Sequence, residues 1–428
     1  MFRSVLTAVR SSSFVRHNAI FFFGSVAVGV LNYVYYPILG RMLSVEAYGE
    51  VQALVSLFLQ MLVFLVVMSQ VTINVVANYT DEDKKRRVVY ELEKLALVIA
   101  LAMLVIVAIF AVKLRTFFQF DSTWPFIAVM AALAASVPLT FRSAYLRGRR
   151  RFGMTALANL LGAAGKILFS TILVWIGWST FGAVIGIVIA QLLAFGYAAY
   201  CAKKIGFEKP EGVTFKSLPS WSVLRPEMKY GLFVLVGSLT ITVLASVDIF
   251  IVKHYFDAET AGQYAGISTV ARMIFFLTMS VAQVLLPSVR IELSQKENRQ
   301  YLLKSLALVT VLGGTVLLVF TVFSANIVRF LMGNSFSTYT HLLPALSLAM
   351  FIISILNLIV SYYIALRRYQ ISAIVALGAI ITGGLLIADH QTLAMVVNSL
   401  LYGSASMLGL FVVWFAGRIV TKQMRKGL

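Results

Sequence analysis

Apolar runs of about 20 residues recur from one end of the chain to the other, and each is long enough to cross a bilayer core. No water is available there to satisfy an open backbone, so each run has to be a helix. The runs predict twelve spans, the first at about 19–43 and the last at about 391–417, with short connections of which the longest is about 203–229. The expected fold class is all-α integral membrane. Composition agrees: 60% of residues are hydrophobic and 12% charged, against about 45–50% and 25% in soluble domains. The first run is too long for the core of a cleavable signal peptide. The connections leave no room for an appended catalytic domain. A single cysteine, Cys201, excludes an intramolecular disulfide.

The net charge of +19 is explained by where the charges fall. With the amino terminus inside, the inner segments hold 29 of the 36 Lys and Arg; the outer loops hold five, and Lys166 and Arg272 lie within spans. This is the positive-inside pattern, and it predicts that both termini are cytoplasmic. Anionic phospholipids are the expected partners of the basic segments. Nucleic acid is not, because the basic residues form short separate segments rather than one stripe. The sequon Asn78-Tyr79-Thr80 falls at the inner edge and is expected to stay unmodified.

The chain also repeats. Phe21 to Val75 aligns without a gap with Val234 to Ser288, matching Gly24 with Gly237, Ser25 with Ser238, Glu46 with Glu259, Gly49 with Gly262 and Gln70 with Gln283. Further on, Ser143, Tyr145, Arg149 and Arg150 match Ser361, Tyr363, Arg367 and Arg368. Six spans per half keep the repeat in the same orientation. A parallel repeat predicts two six-helix lobes, 1–214 and 215–428, around a central cleft that suits alternating access.

The strings LGRMLSVEAYGEVQAL (Leu39 to Leu54), YLRGRRRF (Tyr145 to Phe152) and LASVDIFIVKHYFDAETAGQYAGISTVAR (Leu244 to Arg272) resemble the polysaccharide transporter family, the Wzx-type O-antigen flippases. These lie within the multidrug/oligosaccharidyl-lipid/polysaccharide (MOP) exporter superfamily, which includes the MATE drug exporters. The resemblance covers essentially the whole chain. It implies a bacterial inner-membrane protein that moves an undecaprenyl-pyrophosphate-linked oligosaccharide from the inner to the outer leaflet. It also implies a lipid-linked oligosaccharide as ligand, and a polysaccharide polymerase and a chain-length regulator as partners. A MATE-like multidrug exporter is the alternative. A membrane-embedded polymerase or glycosyltransferase would be expected to carry a large outer loop or clustered carboxylates, so no enzyme is expected.

Polar residues inside spans are the candidates for contact with a ligand, because an isolated charge at the bilayer centre is costly and should face protein or a wet cavity. GAAGK at Gly162–Lys166 looks like part of a phosphate-binding loop, but Leu160 and Ile167 occupy two of its four fixed positions, and apolar sequence lies on both sides. The lysine therefore needs another explanation. Thr155, Asn159, Gly162, Lys166 and Ser170 share one helical stripe, as do Ala261, Ala265, Ser268 and Arg272 in the second half. Lys166 and Arg272 are expected to flank the cleft and attract a pyrophosphate. Asn32, Tyr36, Gln60, Asn159 and Asn357 are expected to line it, with Ser25, Gln52, Ser56, Ser347, Ser354 and Ser361. Asp248, within a span, is a proton-coupling candidate or the neutraliser of Arg272. His17, His254, His341 and His390 sit at span ends or in loops, so neither a metal site nor a cofactor is expected.

Overall fold

The computed structural model describes residues 13–208, 221–289, 294–366 and 370–424. Among them the regular structure is helical throughout. The first helices are α1 (Ser13–Met42), α2 (Val45–Asn78), α3 (Glu82–Phe117), α4 (Trp124–Gly148), α5 (Phe152–Leu173) and α6 (Ser179–Lys204). There follow α7 (Trp221–Leu244), α8 (Val247–Tyr255), α9 (Ala258–Ala271), α10 (Met273–Ser288) and α11 (Gln295–Val322). The last are α12 (Ser324–Met332), α13 (Leu343–Ala365), α14 (Gln370–Ala388) and α15 (Leu393–Met424).

Among the described residues, nine stretches are long and apolar enough to cross a membrane, or ten if α7 and α8, bent by 46° at their break, form one span. One of the nine is the 53-residue stretch Phe152–Lys204, which contains two of the predicted spans. Its two helices are separated by a π-helical turn in which Gly177 takes φ 101°, a value that glycine adopts without a Cβ clash. α5 and α6 then pack closely, and a Cβ added at Gly165 would stand 3.3 Å from that of Ala190. Small residues let membrane helices approach in this way.

Side-chain caps mark several polar starts. Asp81 accepts from the backbone N–H groups of Asp83 (3.0 Å) and Lys84 (3.1 Å) ahead of α3. Ser294 and Glu297 form a reciprocal capping box at α11. Asp257 caps α9 by accepting from Thr260 N–H at 2.9 Å.

The helices cluster into two compact units: Met1–Leu43 with Leu57–Gly231, and Ser44–Ser56 with Leu232–Leu428. The first part of α2 therefore belongs with the second unit. There the glycines matched by the repeat meet each other. A Cβ on Gly49 would lie 2.9 Å from Gly262 Cα, and one on Gly262 would overlap the Val45 carbonyl. The Glu-x-x-Gly element of each half thus marks a place where two helix backbones touch.

Candidate functional site

In the first unit α5 and α1 bring a lysine, an amide and aromatic rings together. Lys166 Nζ donates to Asn32 Oδ1 at 2.7 Å. It also lies over the Tyr35 ring, 4.3 Å from the centroid, and 5.8 Å from that of Tyr36. Asn32 and Tyr36 are one helical turn apart, which places both on the face of α1 that α5 meets. The Tyr35 and Tyr36 rings are edge to face at 5.4 Å, and Tyr35 Oη donates to the Ala183 carbonyl at 3.4 Å. Neutral oxygen and π-faces hold the ammonium in position without cancelling its charge. No carboxylate pairs with Lys166 among the described residues. The lysine is only half-buried and Asn32 is exposed, so the cation remains within reach of a ligand.

The predicted stripe on α5 divides between two tasks. Ser170 is fully buried and donates to Ala183 O at 2.8 Å, and Thr155, also buried, donates to Arg151 O at 3.4 Å. Both serve packing. Asn159 is exposed on the same helix, and Gln60 on α2 is half-buried. Ser25 lies outside the residues whose side chains are described.

The second unit holds a cation of a different kind. Arg272 sits at the joint between α9 and α10, and Asp248 in the first turn of α8, just past the bend from α7. Asp248 accepts from Arg272 Nη2 at 2.8 Å, Tyr264 Oη at 2.9 Å and Ser268 Oγ at 2.7 Å. Arg272 Nη1 donates to Ser56 Oγ at 3.4 Å. Asp248 is 0% and Arg272 6% exposed. This network ties the start of α8 to the joint between α9 and α10, and it changes the expectation for Arg272: Asp248 balances its charge on the spot, while its Nε is buried without a hydrogen-bond partner. Beside it Gln52 donates to Tyr48 Oη at 2.9 Å, and Tyr48 donates to Thr269 Oγ1 at 3.2 Å. On α13, Ser347 and Ser354 are buried while Asn357 and Ser361 are half-buried.

Sequence reasoning missed several members. Tyr264 is one turn before Ser268 and two before Arg272, so the helical spacing that found the stripe also reaches it. Asp248 is not alone as a carboxylate in a spanning helix: Glu91 and Glu93 are buried on α3, with Arg142 donating to Glu93 at 2.6 Å. Among the described residues no group of three His, Cys, Asp or Glu could hold a metal ion.

Comparison with known proteins fits this architecture. Residues 15–291 match the family profile described as "polysaccharide biosynthesis protein". None of the curated protein sequences matches the chain. Among solved structures, the lipid II flippase MurJ in an inward closed conformation superposes with a TM-score of 0.71 at 15% identity, covering 94% of this chain and 87% of that one. An inward-facing multidrug resistance MATE family transporter of the MOP superfamily gives 0.69 at 15% identity, covering 93% and 96%. A MOP superfamily transporter from Pyrococcus furiosus, whose binding pocket is described as of reverse polarity and as suggesting a different function, gives 0.55 at 13%, covering 96% of each chain. At such identities these structures speak for the fold. The family match, which spans well over half of the residues, speaks for descent: the chain belongs to the polysaccharide biosynthesis protein family and has the fold of the MOP superfamily transporters.

Proposed function

We propose that the protein is a flippase that carries an undecaprenyl-pyrophosphate-linked oligosaccharide from the inner to the outer leaflet of a bacterial cytoplasmic membrane by alternating access. The observation that carries this reading is Lys166: a cation inside a spanning helix, held by a neutral amide and two tyrosine rings. A charge kept there without a carboxylate favours an anion, and a lipid pyrophosphate supplies one. Asn32, Tyr36, Gln60, Asn159 and Asn357 then offer amides and a ring to the sugar as it passes. Arg272 serves the shape of the second unit through Asp248 rather than the ligand directly. The same pairing favours Asp248 as neutraliser over Asp248 as proton carrier. A MATE-like exporter of cationic drugs would place acidic or neutral groups where Lys166 stands.

In this reading both termini are cytoplasmic, anionic phospholipids contact the basic inner segments, and a polysaccharide polymerase and chain-length regulator act on the product. Deletion of the gene tests it. Surface glycan should disappear while lipid-linked repeat units accumulate inside, and the wild-type gene should restore export. Unchanged surface glycan in the deletion strain would refute the proposal.

A further inference from the structure

Arg142 and Arg147 lie in the last two turns of α4 and Arg149 caps its end, and the structure treats the three differently. Arg142 donates to Glu93 at 2.6 Å and lies 4.2 Å from the Phe207 ring centroid. Arg149 pairs with Glu82 and bonds the Tyr145 hydroxyl at 3.0 Å. Arg147, between them, has no carboxylate partner among the described residues. Its Nη2 donates to Ser69 Oγ on α2 at 2.6 Å, and its Nε is buried without a hydrogen-bond partner. Gly148 makes this meeting possible, since a Cβ there would stand 2.6 Å from that of Val76. Next to Ser69 on α2, Gln70 is exposed, and so is Asn74 one turn further. Amides exposed on a spanning helix need a wet surface. On α3, Arg86 also lacks a carboxylate among the described residues and has a buried, unsatisfied Nε. The Glu82–Arg149 pair brings that end of α3 to the same end of α4.

The repeat argues against a purely architectural role. In the second half, the positions matched to Ser69 and Arg147 are Ala282 and Ala365. The half that lacks the pair still packs its corresponding helices, with Ala282 buried. The first half therefore carries an arginine that the shared architecture does not require.

We propose that Arg147 is an anion-loading residue that takes the pyrophosphate of the lipid-linked substrate at the cytoplasmic end of the first unit, with Arg86 adding charge and Gln70 and Asn74 receiving the first sugars. This rests on the flippase reading and adds a separate, earlier contact to that of Lys166. Arg147 is half-buried, and a planar guanidinium without a carboxylate partner among the described residues suits a phosphate oxygen pair.

The test is equilibrium binding of fluorescent farnesyl pyrophosphate, with farnesol as the uncharged competitor, to the full chain in neutral-lipid nanodiscs. Arg147→Gln should weaken binding about tenfold or more, the effect of losing one charge-assisted contact, with an unchanged unfolding temperature. Arg147→Lys, which keeps the charge but not the fork, should fall between, and it stands in should the glutamine variant fail to fold. Wild-type affinity in both variants would overturn the proposal and leave the flippase reading intact. Wild-type protein that binds the pyrophosphate no better than the alcohol would overturn both.

Discussion

Asp248→Asn should destabilise the second unit, and the size of the effect follows from the geometry. The carboxylate is fully buried and accepts three hydrogen bonds, one of them from a guanidinium that is itself 6% exposed. Asparagine preserves the shape and can still accept from Arg272 through its carbonyl, while the Tyr264 and Ser268 hydroxyls can turn to accept from its amide. Charge is what is lost. Removing one partner of a buried ion pair costs about 3–5 kcal/mol because the other charge stays buried and uncompensated. The retained hydrogen bonds place the expected cost near the lower limit, about 3 kcal/mol. Asp248→Asn combined with Arg272→Gln should recover part of it, giving a coupling energy of about 1–3 kcal/mol in a double-mutant cycle. Unfolding of the purified protein in lipid nanodiscs, followed by heat or denaturant, measures both. If instead Asp248 carries a coupling proton, the single variant folds normally and loses only gradient-driven transport. An Asp248→Asn variant as stable as the wild type would refute the argument that this carboxylate secures Arg272.

Two further outcomes follow from the packing and from the charge distribution. Gly262→Ala should cost about 1–3 kcal/mol, since its Cβ would overlap the Val45 carbonyl where the backbones touch; wild-type stability in the same unfolding assay would contradict that contact. Cysteines placed singly at Ser44, Ser122 and Ser335, with Cys201 replaced, should react with an impermeant thiol reagent in intact cells, whereas those at Ser294 and Ser217 should not. Ser217 lies outside the described residues. Labelling of the latter pair from outside would invert the proposed topology.

Much of the architecture is legible in the sequence because its causes are local. Hydropathy over one span dictates a helix, and the Glu-x-x-Gly match between halves identifies Gly49 and Gly262, which meet as close-approach points. Helical periodicity is a weaker guide to the site. It places Thr155, Lys166 and Ser170 on one face, yet only the three-dimensional packing shows that Ser170 is taken up by Ala183 while Lys166 reaches Asn32. The sequence offers Asp248 as a neutraliser of Arg272; their contact at 2.8 Å follows from the packing of α8, just past its 46° bend from α7, against the α9–α10 joint. Arg147 is hidden for another reason. It belongs to a run of arginines that look alike as a topology signal, and the difference between them lies in which carboxylates α3 delivers. The same helix begins at Glu82, well before its apolar run, and so buries Glu91 and Glu93, which hydropathy leaves at the edge of the span.

The central claim is that Lys166 keeps its charge for an anionic substrate, and the most direct measurement is surface glycan in a deletion strain complemented with variants, normalised to protein in the membrane. Lys166→Gln should abolish or sharply reduce export at near-normal expression. Lys166→Arg should retain part of it, because the charge remains although a compact ammonium becomes a planar fork. If Lys166 served only packing, the order would reverse, with the larger guanidinium doing the greater harm. Wild-type export by Lys166→Gln would contradict the account.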